Sequence, residues 1–144
     1  MTGGGWIPRS ISSCNDKSSF GFVGGLNVKG ELFGSANYID HCTGDRIKGD
    51  DVVAYCFLQS SCPSDPGEEP CRRIVYSGRY NGVPGFTIVI DVCDNGEPGT
   101  SDTFSIRVLV KTGGSDCDPV GVAEVYSASG TLGGGNIQLH RICN

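Results

Sequence analysis

The chain has 144 residues, a net charge of −5 and an isoelectric point near 4.8. Its eleven basic residues are scattered along the sequence, which excludes the clustered Lys and Arg of a nucleic-acid-binding surface. No apolar run approaches the roughly 18 residues of a membrane-spanning helix, so we expect no membrane span. With 23 Gly, 7 Pro and 19% charged residues, the composition predicts one turn-rich domain over residues 1–144 with little helix.

The first predicted element is the strand-like segment GGGWIPRSIS, residues 3–12. Two interpretations of it stay open: it pairs with the sheet of a neighbouring subunit by strand addition, or it folds back as the edge strand of its own domain. The start MTGGGW lacks the charged and apolar regions of a signal peptide. For an exported protein we therefore expect this chain to be the processed form.

Eight further stretches combine β-branched and aromatic residues with bounding Gly, Asn, Asp or Pro, which is typical of strands. They are residues 18–30, 31–40, 50–59, 72–81, 85–94, 102–110, 123–132 and 136–143. Apolar side chains alternate most clearly in residues 85–94 and 102–110, so we expect one face of each of these strands to lie in the core. Those sets are Phe86, Ile88, Ile90 and Val92, and Phe104, Ile106, Val108 and Val110.

The turns indicate how these strands are connected. Asn-Gly steps within residues 81–85 and 94–99 lie between strand-like runs and predict hairpins. Short turns without intervening helical patterns predict an all-β fold, an antiparallel β-sandwich or small barrel of about eight strands. Residues 60–71 and 112–121 are the least regular, and we expect them to be loops inserted into this one domain.

The cysteines form an even, dispersed set: Cys14, Cys42, Cys56, Cys62, Cys71, Cys93, Cys117 and Cys143. In a small Gly-rich domain such a set predicts up to four disulfides, formed in an oxidising compartment, and hence a secreted protein. Structural zinc is disfavoured, because no C-x2-C or C-x4-C spacing occurs and only two His are present. The connectivity stays open, although a Cys62–Cys71 bridge would pin the turn-rich segment between them. A bridge from Cys14 or Cys143 would tie one end of the chain to the body.

Hard oxygen ligands are concentrated in the segment DNGEPGTSD and just before it: Asp91, Asp94, Asn95, Glu97 and Asp102. Calcium takes six to eight oxygens, and a tight Gly-containing loop can converge carboxylates on one ion, so these residues are a candidate Ca²⁺ site. The alternative is that Asp94 and Asn95 simply form a hairpin turn. The EF-hand spacing is absent.

Aromatic side chains offer another candidate surface, because flat rings stack on sugar faces while their polar tips stay in water. The candidates for such a platform are Trp6, Tyr38 and Tyr80. The same residue types are also normal constituents of strands, so a polysaccharide-binding role competes with a purely structural one.

Catalysis is not indicated. His41 and His140 are the only imidazoles, and Asp40 precedes His41. A Ser-His-Asp hydrolase also needs a positioned nucleophile, and the sequence has no G-x-S-x-G elbow. Paired cysteines would leave no reactive thiol. We therefore expect that the protein is not an enzyme.

Four strings resemble a known bacterial domain: GGGWIP, NYIDHCTGDRIKG, TIVIDVCDNGEPGTSDTFSIRV and YSASGTLGGGNIQLH. They are similar to the small Gly-rich extracellular domain that follows choice-of-anchor modules (post-COAP type), over nearly the whole chain. The resemblance implies export and implies no reaction or catalytic residues. The chain departs from that pattern in its many cysteines and in the insertions CFLQSSCPSDPGEEPC and KTGGSDCDPVGVAE.

Together these inferences predict a secreted structural module of the cell surface or extracellular matrix, which self-associates into filaments by N-terminal strand addition. A carbohydrate-binding or surface-binding adhesive module is the alternative. A calcium-stabilised binding domain is the second alternative.

Overall fold

The computed structural model describes residues 1–58 and 70–140, and every regular element within them is a β-strand. The strands are β1 (Thr2–Ile11), β2 (Cys14–Leu26), β3 (Leu32–Asp40), β4 (Arg46–Phe57), β5 (Cys71–Tyr80), β6 (Val83–Cys93), β7 (Thr103–Gly114), β8 (Pro119–Thr131) and β9 (Gly134–Gln138). The all-β prediction is confirmed. The described residues contain nine strands, against about eight predicted for the fold: β1 corresponds to the N-terminal segment, and β2 to β9 each overlap one of the eight further stretches.

The described strands form a single antiparallel sheet in the order β8-β7-β6-β5-β4-β3-β2-β1-β9. From β1 to β8 each strand lies beside its neighbours in the chain, as expected when short turns join consecutive strands. The exception is β9, which returns to the far side of β1 and pairs Thr2 with Gln138. The N-terminal segment is therefore an internal strand, hydrogen-bonded within its own chain to β2 and to β9.

The sheet curls so that one face packs against itself. Phe104 of β7 stacks on Phe20 of β2, with ring centroids 3.9 Å apart, although these strands are five places apart in the sheet. Only Leu132 and Gly133 separate β8 from β9, so the two edges of the described sheet approach each other at that end. The edges are not hydrogen-bonded into one ladder, and the sheet is not closed. The prediction of a sandwich or a small barrel is therefore not confirmed.

The Asn-Gly prediction is correct for one hairpin. Asn81 and Gly82 join β5 to β6 with φ values of 51° and 82°, the left-handed conformation that a two-residue hairpin turn requires. The second Asn-Gly step behaves differently. Asn95 and Gly96 lie in a longer connection, residues 94–102, between β6 and β7, which do pair as antiparallel neighbours.

The main core lies on the inner face of the curled sheet, and the alternation pattern predicted most of its residues in β6 and β7. Ile88, Ile90 and Val92 of β6 are at most 1% exposed, and β7 contributes an equivalent set. That set is Phe104, Ile106 and Val108. Register shifts in the β7–β8 ladder after Val108 interrupt the alternation, so Val110 lies outside this core.

A second, smaller cluster lies on the opposite face of the sheet: Ala54, Cys56, Val75, Val89 and Leu109. The turn between β7 and β8 is tied to this face by the disulfide between Cys56 and Cys117. Arg73 adds a salt bridge to Asp118 at 2.9 Å. Residues 112–121, predicted to be a loop, are therefore mostly strand with a short turn at 115–118, because the hairpin continues over this outer cluster.

The predicted loop over residues 60–71 falls almost wholly outside the described residues, and Cys71 already begins β5. Among the described residues, no helix is long and apolar enough to cross a membrane.

Candidate functional site

The predicted calcium ligands act mainly as hydrogen-bond acceptors that hold the β6–β7 connection against the last strand. Asp102 is fully buried and accepts from the backbone N–H of Asn95 and of Ile137, both at 2.8 Å. Asp94 accepts from the N–H of Leu139 at 2.9 Å. These carboxylates therefore fasten β9 to the loop, a role that needs no metal ion.

The other two predicted ligands face different partners. Glu97 accepts hydrogen bonds from the side-chain amides of Asn136 and Gln138. Asp91 forms a two-point ion pair with Arg73, at 2.7 and 2.9 Å. Within residues 1–58 and 70–140, no three His, Cys, Asp or Glu side chains are grouped so that they could hold a metal ion. The calcium hypothesis gains no support from this geometry.

The predicted aromatic platform is not assembled. Tyr38 is 2% exposed and lies in the core, where its hydroxyl hydrogen-bonds that of Tyr126. Tyr80 packs edge-on against Phe86. Trp6 is half-buried beside the β8–β9 connection, with Lys17 Nζ 5.7 Å from its ring centroid. Tyr38 was wrongly predicted as a contact residue, because strand aromatics on the core face look the same in sequence as exposed ones.

The two histidines lie apart in the described structure. Nε2 of His41 is 3.2 Å from the hydroxyl of Ser19, and Nε2 of His140 is 2.9 Å from that of Thr2. The carboxylate of Asp40, next to His41 in sequence, binds other groups. It accepts from the guanidinium of Arg9 and from the hydroxyl of Tyr126.

Asp40 is the centre of a buried polar network that the sequence did not reveal. Its side chain is fully buried and also accepts from the backbone N–H of Cys42 and Thr43. Burial opposes its ionisation, but the hydrogen bonds from Tyr126, Arg9 and the backbone outweigh burial and lower the pKa of Asp40 to about 2. Burial, followed by its bonds to Tyr38 and Asp40, raises the pKa of Tyr126.

Three disulfides connect the described cysteines: Cys14–Cys42, Cys56–Cys117 and Cys71–Cys93. The predicted Cys62–Cys71 bridge is wrong, because Cys71 and Cys93 are direct cross-strand partners with Cα atoms 4.0 Å apart. Cys14 does tie the first hairpin to the end of β3, through Cys42. Cys62 and Cys143 lie outside the described residues.

The sequence did not predict one concave surface of the described structure. It is a cavity of about 550 Å³ between the β2–β3 turn, the ends of β4 and β5 and the first residues of the chain. Its described lining is Met1, Thr2, Val23, Gly25, Leu26, Asn27, Val28, Gly30, Phe33, Tyr55, Phe57, Arg72 and His140. We call this the β2–β3 cavity. It is lined mostly by apolar atoms, and large apolar side chains at its mouth are partly exposed.

Positive charge lies at one end of the β2–β3 cavity. The Arg72 side chain, only 4% exposed, lies over the ring of Phe57 with its guanidinium carbon 4.1 Å from the centroid. The amino group of Met1 donates to the carbonyl of Gly24 at 2.8 Å. Burial, and then repulsion by Arg72, lowers the pKa of this amino group. Burial raises the pKa of Tyr55, although Arg72 opposes that shift.

The described lining of the β2–β3 cavity contains no Asp or Glu, although the chain has 16 of them. The arrangement can therefore bind an apolar group. Little in the sequence points to this site. Arg72 follows Cys71 in a run that reads as an ordinary strand, and the apolar residues of the mouth come from three separate strands.

No protein-family model, curated protein or solved structure matches this chain. The resemblance to the post-COAP type of domain therefore stays a hypothesis from the sequence.

Proposed function

We propose that this protein is an extracellular structural or adhesive module that self-associates through the edge of β8. The observation that carries the proposal is a pair of exposed apolar side chains on that strand. Val122 is 71% exposed and Val125 is 40% exposed. Within the described residues, β8 has a strand neighbour on one side only, β7. An edge strand with exposed apolar side chains is suited to pairing with another chain.

The three disulfides support the extracellular part of the proposal, since disulfides persist in oxidising compartments. The resemblance to the post-COAP type of domain suggests the same location. Durability also fits a structural role, because the disulfides brace the first hairpin, the central pair β5 and β6, and the outer cluster.

The contact differs from the strand addition predicted for the N-terminal segment. All ten residues of β1 pair with β2, and Thr2–Trp6 also pair with β9, so the first half of β1 offers no edge to a neighbour in this structure. A β8–β8 contact is self-complementary and forms a closed dimer. Filaments therefore require β8 of one molecule to contact a different surface of the next.

The first testable prediction concerns this edge. Replacing Val122 with Lys places a charge on the proposed contact, so we expect the oligomeric fraction at high concentration to fall at least about tenfold. Light scattering after gel filtration and negative-stain electron microscopy measure it. Val83→Lys is the matched control, because Val83 is 56% exposed on the β5–β6 hairpin, away from β8.

A wild-type protein that stays monomeric at millimolar concentration would contradict self-association. An unchanged assembly in Val122→Lys would move the contact away from β8. Polysaccharide binding is the alternative from the sequence, but Trp6, Tyr38 and Tyr80 do not form one exposed aromatic surface. If the protein stays monomeric and retains a defined glycan, polysaccharide binding explains its function better than self-association does.

A further inference from the structure

Three basic side chains that are scattered in the sequence come together on the outer face of the sheet. Lys48 of β4 lies directly opposite Arg79 of β5, and Arg46 lies two residues before Lys48, so the three side chains share one face. All three are exposed, whereas the intervening Ile47 is 3% exposed and belongs to the main core. We call Arg46, Lys48 and Arg79 the basic cluster.

The positive charge of the basic cluster is only partly neutralised. Arg79 forms an ion pair with Asp50, from its Nε at 3.1 Å and its Nη2 at 3.3 Å. Among the described residues, Arg46 and Lys48 have no ion-pair partner. The carboxylate of Asp45, next to Arg46 in the sequence, accepts hydrogen bonds from side chains of the two neighbouring turns. Like charges directly opposite each other destabilise a strand pair, so an anion between Lys48 and Arg79 relieves their repulsion.

Polar side chains that can bond hydroxyl groups lie beside the basic cluster. Asn37 of β3 is the partner of Lys48 on its other side. On β5, Ser77 lies two residues before Arg79 and opposite Asp51. Asn37, Ser77 and Asp51 are all exposed. Their amide, hydroxyl and carboxylate groups supply both donors and acceptors for the hydroxyl groups of a sugar.

A shallow concavity of about 230 Å³ has the basic cluster in its lining, together with Asn37. These four side chains come from three adjacent strands, β3, β4 and β5. Neighbouring strands hold directly opposite residues about 5 Å apart, so the cations and the amide are spaced by the sheet before a ligand arrives. Such preorganisation lowers the entropy lost on binding.

The basic cluster lies far along the strands from residues 59–69. β4 ends at Phe57, nine residues after Lys48, and β5 begins at Cys71, eight residues before Arg79. At about 3.3 Å per residue, these strand ends are about 25 to 30 Å from the cluster. A chain that leaves and re-enters the sheet there with the length of residues 59–69 extends at most about 20 Å from it. Residues 141–144 contain no Asp or Glu.

We propose that the basic cluster binds the acidic sugar units of a polysaccharide, with a carboxylate or sulfate group between Lys48 and Arg79 and sugar hydroxyl groups against Asn37 and Ser77. The contact uses ion pairs and hydrogen bonds, and not the stacked aromatic rings expected from the sequence. A nucleic acid fits less well, because its closely spaced phosphates also meet the rest of a chain with a net charge of −5. Tyr38, which contributes to the lining, is 2% exposed and offers no ring for base stacking. The site is separate from the β8 edge and does not depend on self-association.

Tetragalacturonate tests the proposal, and its methyl ester is the matched ligand with the same sugar chain and no charge. Titration calorimetry should show the carboxylate form binding at least about tenfold more tightly than the ester. Amide chemical shifts measured by NMR should change around Asn37, Lys48 and Arg79. Equal affinity for the two ligands, no binding, or shifts located elsewhere would overturn the proposal. Pentathymidylate, an oligonucleotide with the same number of charges, should bind more weakly, and tighter binding would identify a nucleic acid as the ligand and overturn the proposal.

Matched variants locate the contacts. Lys48→Glu should weaken tetragalacturonate binding at least about tenfold. Lys29→Glu makes the same change of charge at an exposed residue of the β2–β3 turn and should leave binding within about twofold of the native value. An equal loss in both variants would show that the charge of the whole molecule, and not the basic cluster, sets the affinity, which would overturn the proposal.

Asn37→Ala separates sugar recognition from simple attraction of an anion. It removes an amide beside the basic cluster and no charge, so tetragalacturonate binding should weaken about threefold or more, as expected for the loss of a hydrogen bond. Unchanged binding in this variant would overturn the sugar contact.

Discussion

At the scale of single residues, Asp40 shows how a buried charge is made stable in this fold. Its carboxylate accepts four hydrogen bonds, from Arg9, Tyr126, Cys42 and Thr43, and the hydroxyl of Tyr38 extends the network through Tyr126. A buried carboxylate without such partners would be strongly destabilising. The network joins β8 to β3 and β1, although β8 lies at the other end of the described sheet from those two strands.

The pKa of Asp40 predicts acid sensitivity. Its pKa is about 2 in the folded protein and about 3.9 when unfolded, so ionised Asp40 contributes about 2 to 3 kcal/mol to the free energy of unfolding above pH 4. That contribution is lost as the pH falls from about 4 to about 2, because the unfolded chain takes up the proton first. Urea unfolding between pH 2 and 6 measures it.

Asp40→Asn should remove this part of the pH dependence and lower stability near neutral pH. Asp116→Asn is the control, because the Asp116 side chain is 73% exposed and its ion pair with Lys111 lies at the surface. An Asp40→Asn protein with an unchanged acid transition would contradict the assignment.

Individual site residues could not be assigned from the sequence, for a physical reason. Asp94 and Asp102 fit a calcium loop, but carboxylates in a Gly-containing turn look the same whether they bind an ion or accept backbone N–H groups. The partners of Asp102 include the N–H of Ile137, which is 35 residues away and is placed there only by β9. Arg72 likewise could not be assigned to the cavity from the sequence, because its neighbours there come from other strands.

At the scale of the strands, glycine allows close approach between β4 and β5. Gly49 and Gly78 face each other across the ladder, and register shifts follow both residues. A Cβ at Gly78 would collide with the carbonyl of Lys48 and come within 2.7 Å of Ile88. The tight contact leaves room for Tyr76, whose ring would lie 2.7 Å from a Cβ at Gly49.

Gly78→Ala should therefore lower the free energy of unfolding by about 1 to 3 kcal/mol through overpacking. Gly21→Ala is the matched control in β2, because a Cβ there meets no atom within 4 Å. That variant should be neutral or slightly stabilising, since alanine loses less backbone entropy on folding. Thermal unfolding of the two variants measures the difference, and equal destabilisation would show that packing at Gly78 is not the cause.

The sequence predicted strands well where alternation was regular and less well where the backbone departs from it. The core faces of β6 and most of β7 followed directly from a period of two. The shifts after Val108 are properties of the β7–β8 pair and leave no pattern in either strand alone. β1 was read as a strand, but its internal position depends on pairing with β9, more than 100 residues later in the chain.

At the scale of the whole molecule, the disulfides close loops of different length. Cys56–Cys117 spans 61 residues, Cys14–Cys42 spans 28 and Cys71–Cys93 spans 22. Longer loops restrict the unfolded chain more. The longest of the three also fixes the β7–β8 turn over the outer cluster, together with the ion pair between Arg73 and Asp118.

Replacing both Cys56 and Cys117 with Ala should lower the free energy of unfolding by about 4 kcal/mol, and the same change at Cys71 and Cys93 by about 3 kcal/mol. Guanidinium unfolding compares them, with mass spectrometry under denaturing conditions to verify the remaining bridges. A larger loss for the Cys71 and Cys93 pair would show that local strand pairing, and not loop length, sets the effect.

The overall curl of the sheet could not be predicted from the sequence. It depends on contacts between β2 and β7 and between β3 and β8, which are distant along the chain and along the sheet. No local pattern of residues encodes such contacts, because each strand needs only an apolar face to take part in them.

The pairing of β9 with β1 has a consequence for the order in which the sheet is built. Strands β1 to β8 can join one hairpin after another, each pairing closing a short loop, whereas the ladder from Thr2 to Gln138 closes across almost the entire chain. While the polypeptide is being made, the residues of β1 that pair with β9 lack this partner until residues 134–138 have been added. The five residues of β9 thus pair last with β1, whose edge on that side stays unpaired by β9 through every earlier stage of folding.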